Sequence, residues 1–177
     1  MKYIFFLLTL IACHNTNNMI IPKKYKLDFD TFYNQFYIVS DLNWEYSDNM
    51  WNDKNFKDRM GISEYFINVR TETYGHIKGF VKILNKENKN YNSADYDHIV
   101  EGGIRVIHHK IYITNCPDGF LEKQISLPNG IYRVRVYSKN LIGVNKDLMD
   151  NHDYYIIEIF PGNTLNKKVI KRFELIQ

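Results

Sequence analysis

The sequence predicts an all-β protein, an antiparallel β-sandwich of about eight strands with one short helix. Three observations carry this. Apolar residues recur with a period of two, as in Ile131 to Tyr137 (IYRVRVY) and Tyr154 to Phe160 (YYIIEIF). Turn-forming groups such as Pro128-Asn129-Gly130 and Pro161-Gly162 punctuate these runs at the spacing of sandwiches and barrels. Helical three-to-four spacing is confined to Met50 to Met60 (MWNDKNFKDRM).

Taken in order, Gln35 to Val39 is a short strand, and Met50 to Met60 is a helix that caps one end of a sheet, with Trp51 as a capping core residue. Phe66 to Thr71 and His76 to Leu84 (HIKGFVKIL) are strands with alternating apolar positions. Asn85 to Asp95 is a polar loop, and Tyr96 to Val100 a further strand. Gly103 to Ile107 and Lys110 to Thr114 flank His108-His109, which predicts a hairpin with a tight turn. Cys116 follows at the end of that strand and reads as a small, half-buried residue. Glu122 to Leu127 leads into Pro128-Asn129-Gly130, where Pro fixes φ while Asn and Gly accept positive φ. The IYRVRVY strand comes next, with Tyr132, Val134 and Val136 facing inward. After a loop come the YYIIEIF strand and an edge strand within Val169 to Ile176.

The N-terminus reads as an address. Met1-Lys2 precedes an uncharged apolar run from Tyr3 to Ala12. A membrane-spanning helix needs roughly 20 residues, so this run is too short to cross. It has the length of a signal-peptide core. It ends in Leu10-Ile11-Ala12-Cys13, which resembles the bacterial lipobox: an aliphatic residue, then a small one, then cysteine. Cleavage before Cys13, with a thioether-linked diacylglycerol on its thiol and an acyl chain on its amino group, supplies two or three lipid chains, enough for stable anchoring. Residues 1–12 are therefore expected to be a lipoprotein signal peptide, 13–24 a lipid-anchored tether and 25–177 the folded domain. The expected location is the bacterial cell envelope, membrane-anchored and facing the extracytoplasmic side. The competing readings are an apolar N-terminal strand and an ordinary secretory cut.

Composition excludes several classes. The chain of 177 residues is 45% hydrophobic and 15% aromatic, enough for a core. A net charge of +3 is too mild for a dedicated nucleic-acid binder, and no direct nucleic-acid binding is expected. Two cysteines exclude a disulfide scaffold and a Cys-rich zinc site. His108 and His109 are chain neighbours in a turn and make a poor metal pair. His98 and Glu101 have helical spacing in a segment that reads as a strand. Asp147, Asp150 and Asp153 recur in a loop that lacks the ligand spacing and glycine of a calcium site, so they read as solvated. There is no phosphate loop and no nucleophile elbow. No catalytic residue, cofactor or metal is expected, and the protein is read as a non-enzyme. Arg133 and Arg135 alternate with the apolar set of their strand. They form either the wet face of the sheet or an Arg/Tyr surface for a partner.

The order of segments resembles the ComJ family, small bacterial proteins known as inhibitors of the DNA-entry nuclease. The similarity runs from Phe32 to Phe160. Its pieces are Tyr33-Asn34-Gln35-Phe36 (Y-x-Q-F), Trp51-Asn52-Asp53 (W-x-D), Ile111-Tyr112-Ile113, Leu127-Pro128-Asn129-Gly130-Ile131-Tyr132 (L-P-x-G-x-Y) and Asp153-Tyr154-Tyr155-Ile156-Ile157 (D-x-Y-I-I). The lipobox and the loop from Asn140 to His152 depart from the family pattern. The resemblance implies no catalytic residues. It implies an inhibitor or immunity-type binding protein whose partner is a nuclease or toxin, and the lipobox adds the expectation of a lipid anchor on Cys13. The alternative is a surface lipoprotein that binds a glycan or another ligand. Because a nuclease cleft attracts phosphate, its inhibitor is expected to present acidic groups. The expected contact residues are Asp147, Asp150 and Asp153, with Asp95 and Asp97 nearby in charge and Arg133 and Arg135 on the sheet.

Overall fold

In a computed structural model, described here for residues 20–43, 50–144 and 152–174, the period-two segments become strands of two sheets. In chain order they are β1 (Lys23–Asp30), β2 (Gln35–Val39), β3 (Met60–Ile62), β4 (Phe66–Arg70), β5 (His76–Ile83), β6 (His98–Val106), β7 (Lys110–Thr114), β8 (Leu121–Ser126), β9 (Gly130–Lys139), β10 (Tyr154–Pro161) and β11 (Lys168–Lys171). The single α-helix among the described residues is α1 (Asp53–Asp58). One sheet has the order β1-β5-β10-β9-β6-β11 and the other β3-β4-β2-β7-β8. The all-β class is therefore observed, with one of the two sheets curled into a half-barrel.

Both sheets feed one core. Leu27, Ile77, Val81, Val100, Ile104, Val134, Val136, Tyr155, Ile157 and Ile159 come from the six-stranded sheet. Phe36, Ile38, Ile67, Val69, Ile111, Ile113 and Ile125 come from the other. Fully burying each such side chain contributes about 1.5–3 kcal/mol as an upper figure. Tyr132, Val134 and Val136 face inward as the alternation of β9 requires. A second apolar cluster lies on the far side of the five-stranded sheet, from Tyr37, Val39, Met50, Phe66, Tyr112 and Cys116.

Several expectations are corrected. The expected antiparallel arrangement fails at one junction, where β5 and β10 run parallel, with Tyr155 opposite Gly79. A Cβ on Gly79 would lie 1.8 Å from the Tyr155 carbonyl oxygen, so only glycine fits there. The expected hairpin at His108-His109 is a crossover: β6 belongs to one sheet and β7 to the other. It lies against the second crossover, as Leu127 N donates to the His109 carbonyl at 3.0 Å and His109 N to Asn129 Oδ1 at 2.7 Å. The two strands expected around Gly102-Gly103 are one strand, β6. The expected helix over Met50 to Met60 shrinks to six residues, and Met60 begins β3 instead. The edge strand β1 starts at Lys23, inside the stretch expected to be tether.

Candidate functional site

The sequence around α1 dictates where the helix starts, stops and attaches. Asn52 caps its N-terminus by accepting from Asn55 N at 2.8 Å. Arg59 ends it in the left-handed region at φ 56°, a conformation that costs a non-glycine residue about 1–2 kcal/mol. The buried Asp58 carboxylate meets Lys54 at 2.6 Å, Lys167 at 2.9 Å and Arg172 at 2.7 Å. Burial alone would raise the Asp58 pKa, but hydrogen bonds from Lys54, Arg172 and Lys167 overcome this and hold it well below the usual carboxylate range. Lys167 and Arg172 flank β11, so Asp58 fastens the helix to the C-terminal edge of the larger sheet. His98 completes the fastening: Nε2 lies 3.0 Å from the Asp58 carbonyl, and Nδ1 accepts from Phe173 N at 3.1 Å.

Beside this clamp runs a groove of about 360 Å³, lined by Phe56, Lys57, Arg59, Arg70, Glu72, Arg172, Phe173 and Glu174. Four cations there face two carboxylates. A second hollow of about 380 Å³, lined by Tyr33, Asn34, Gln35, Trp51, Phe56 and Arg70, shares Phe56 and Arg70 with the first. The Arg70 guanidinium stacks on the Phe56 ring, 3.8 Å from its centroid. Burial and the neighbouring Arg59 charge lower the pKa of Arg70. The Trp51 and Phe56 rings meet edge to face at 6.3 Å. Trp51 Nε1 donates to Gln35 Oε1, which also accepts from Asn68 Nδ2 at 2.7 Å. Trp51 thus ties the segment before the helix to β2, and it is half-buried. Tyr33 and Phe56 are exposed.

Arg59 lines the groove at 3% exposure. Its Nη1 pairs with Glu72 Oε2 at 2.7 Å, while its Nε and Nη2 have no hydrogen-bond partner among the described residues. Idle buried donors cost roughly 1–3 kcal/mol, and more when the group is charged. Glu72 is itself held in place. Asp153 Oδ2 accepts from Thr73 N at 2.9 Å and Tyr155 OH at 2.6 Å, and Tyr155 OH accepts from Glu72 N at 2.9 Å. Burial, with the Asp153 charge beside it, pushes the Tyr155 pKa far up, so its hydroxyl stays a donor.

The expected contact residues fall elsewhere. Asp153 is 2% exposed and occupied by Thr73 and Tyr155, so it is a buried clip and no part of a solvated loop. Asp147, Asp150 and Cys13 lie outside the described residues. Arg133 and Arg135 share the outer face of β9, as alternation demands, but that face is not wet. They are 7% and 3% exposed. Glu101 takes Arg133 Nε at 2.8 Å and Arg135 Nε at 2.6 Å, while Glu87 takes Arg135 Nη2 at 2.5 Å. The carbonyls of Thr164 and Asn166 accept from Arg133 Nη1 at 2.9 and 2.7 Å. Loops therefore roof this face, and both guanidiniums are engaged inside the molecule. Asp97 accepts from Leu141 N at 2.8 Å, and Asp95 from the Asn92 side chain at 3.2 Å. The groove residues Arg59, Arg70 and Arg172 carry no sequence signal, since they stand far apart in the chain and are joined by folding alone. Among the described residues, no group of three or more His, Cys, Asp or Glu side chains is placed to hold a metal.

No family model matches the chain, and no curated protein matches it. Two solved structures share its fold. ComJ from Bacillus subtilis, an inhibitor of the DNA-degrading activity of NucA, superposes with a TM-score of 0.62 at 18% identity, covering 81% of this chain and 100% of ComJ. The structure described as crocagin biosynthetic gene J superposes with a TM-score of 0.55 at 9% identity, covering 81% of this chain and 100% of that one. At these identities the likeness is one of fold, and the expected ComJ-like fold is observed.

Proposed function

We propose that this chain is a non-enzymatic, inhibitor-type protein that binds a protein partner, a nuclease or toxin outside the cytoplasm, while a lipid on Cys13 holds it at the membrane. The observation that carries the reading is the full-length match to ComJ, itself an inhibitor of a DNA-degrading activity. Two sheets around one core support reading the domain as a sandwich whose ends carry the contact surfaces. The groove beside α1 is the best-equipped of these. It combines arginines and aromatic rings, the residue types on which binding energy concentrates. The lipobox at Leu10 to Cys13 supports the anchor.

The test joins the full-length chain with the secreted nuclease or toxin encoded nearest its gene. Expected are stable capture, loss of the partner's activity and no hydrolysis by the chain alone. Saturable binding to a sugar polymer with no protein captured would overturn the reading in favour of a glycan-binding lipoprotein. Mass spectrometry of the native protein is expected to show an acylated Cys13 and no residues 1–12. An unmodified Cys13 behind an intact Met1 would refute the anchor.

A further inference from the structure

We propose that the groove beside α1 is a carboxylate seat: it takes an acidic segment of a protein partner, whose carboxylate meets the free Nε/Nη2 edge of Arg59. The inference rests on the reading of the chain as a partner-binding protein and names the chemistry that the partner must offer.

Arg59 carries the argument. Its guanidinium is buried, lines the groove, and has one of its nitrogens paired to Glu72. The nitrogens left without acceptors among the described residues are Nε and Nη2, both closed to solvent, so an entering carboxylate reaches them by displacing the groove side chains that cover them. These two donors form one side of the guanidinium fork, the side that matches the two oxygens of a carboxylate. Arg70 adds a second positive charge on the same groove. It stacks on Phe56 and forms no ion pair among the described residues. A group entering between Phe56 and Phe173 therefore meets two guanidiniums and two apolar walls.

Charge and donor geometry select the anion. Four cations against two carboxylates favour a negative group, and the parallel Nε and Nη2 donors of Arg59 match the planar pair of oxygens of a carboxylate. The shape selects a chain. A second hollow, lined by Trp51 and Tyr33, adjoins the groove and shares Phe56 and Arg70 with it, which suits an extended peptide with an apolar residue beside its acidic one.

The probe is the peptide acetyl-Phe-Glu-amide, titrated into the full-length chain while the Arg59 Nε–H resonance is followed by NMR. The controls are its glutamine analogue and inorganic phosphate. Expected is a saturable shift with the glutamate peptide, weakening as salt rises, with at least about tenfold weaker binding of the glutamine analogue. In Arg59→Lys, followed by its backbone amide resonances, the saturable shifts with the glutamate peptide should disappear. Arg70→Gln removes a half-buried cation stacked on Phe56 without touching the Asp58 clamp; with an unchanged backbone spectrum as the check on its fold, it should bind the peptide about tenfold more weakly. Equal binding of the two peptides, tighter binding of phosphate, or no saturable change would overturn the carboxylate seat. Capture of a nuclease or toxin by a chain that ignores the peptide would sink this inference and spare the partner reading. Peptide binding with no partner captured would do the reverse.

Discussion

The imidazole of His98 sits between backbone groups of opposite polarity, the Phe173 N–H on Nδ1 and the Asp58 carbonyl on Nε2. With Nδ1 accepting, Nε2 must carry the proton, and the ring is neutral. Burial lowers its pKa to about 4, opposed by the Asp58 carbonyl and assisted by the charges of Arg59 and Arg172. Unfolded, the same ring takes a proton near 6.5. Between these values the unfolded chain binds more protons, so stability falls as pH falls; above them both states are neutral and the term vanishes. The linked loss is roughly 3 kcal/mol between about pH 7.5 and pH 4. Carboxylates titrate in the same direction, so the comparison needs His98→Gln, which keeps polar contacts without the titration. Urea midpoints should drop less in the variant than in the parent over that range. Equal drops would show that His98 is not held neutral.

At the scale of elements, the parallel pairing of β5 and β10 is the contact least open to substitution. Gly79→Ala would drive a methyl into the Tyr155 carbonyl, where backbone and no flexible side chain must yield. The expected cost is about 3 kcal/mol or more, read from the denaturation midpoint, since overpacking against backbone lies at the upper end of such effects. A loss under about 1 kcal/mol would mean that the strands do not meet there. The strand identity of β5 was legible, because Ile77, Val81 and Ile83 alternate; its parallel partner was not, because no local pattern encodes a pairing made across the chain. The same limit explains the crossover taken for a hairpin, as tight turns look alike whether they return to one sheet or pass to another. β1 escaped notice because Lys, Asp and Tyr dilute the Leu27 and Phe29 alternation. The helix was overextended because Met50 and Met60 share helical spacing with Phe56 but are buried outside α1.

On the scale of the whole molecule, each sheet buries its inner face and covers part of its outer one, by different chemistry. The smaller sheet covers its outer face with the apolar cluster around Tyr37 and Phe66. The larger covers part of its outer face with Arg133, Arg135 and Glu101 under two loops. Alternation foretold which residues point outward, but not whether solvent waits there, since that depends on loops distant in sequence. The groove was illegible for a related reason: Arg59, Arg70 and Arg172 acquire a common site through the Asp58 clamp and the β4 register, both long-range. The ComJ-like fold was legible from the order of the segments along the chain.

Cys116 gives this architecture a chemical clock. Its thiol is 2% exposed and accepts from Tyr37 OH at 2.9 Å and Gln35 Nε2 at 3.1 Å, beneath the outer cluster of the smaller sheet. A thiol-specific reagent reaches it only when that sheet opens. In a chain whose Cys13 is blocked, the labelling rate should equal the free-thiol rate multiplied by the fraction of molecules open, and fall with each increment of stability. Well below the unfolding midpoint, labelling should be nearly independent of urea if the sheet opens locally, since little surface is exposed, and should rise with the full urea dependence of unfolding if it does not. Labelling in water at the free-thiol rate would contradict the burial. An oxidising environment would act on this protein through its opening equilibrium: the domain keeps a reduced sulfur for as long as it stays folded, and oxidation of that sulfur records past excursions from the native state.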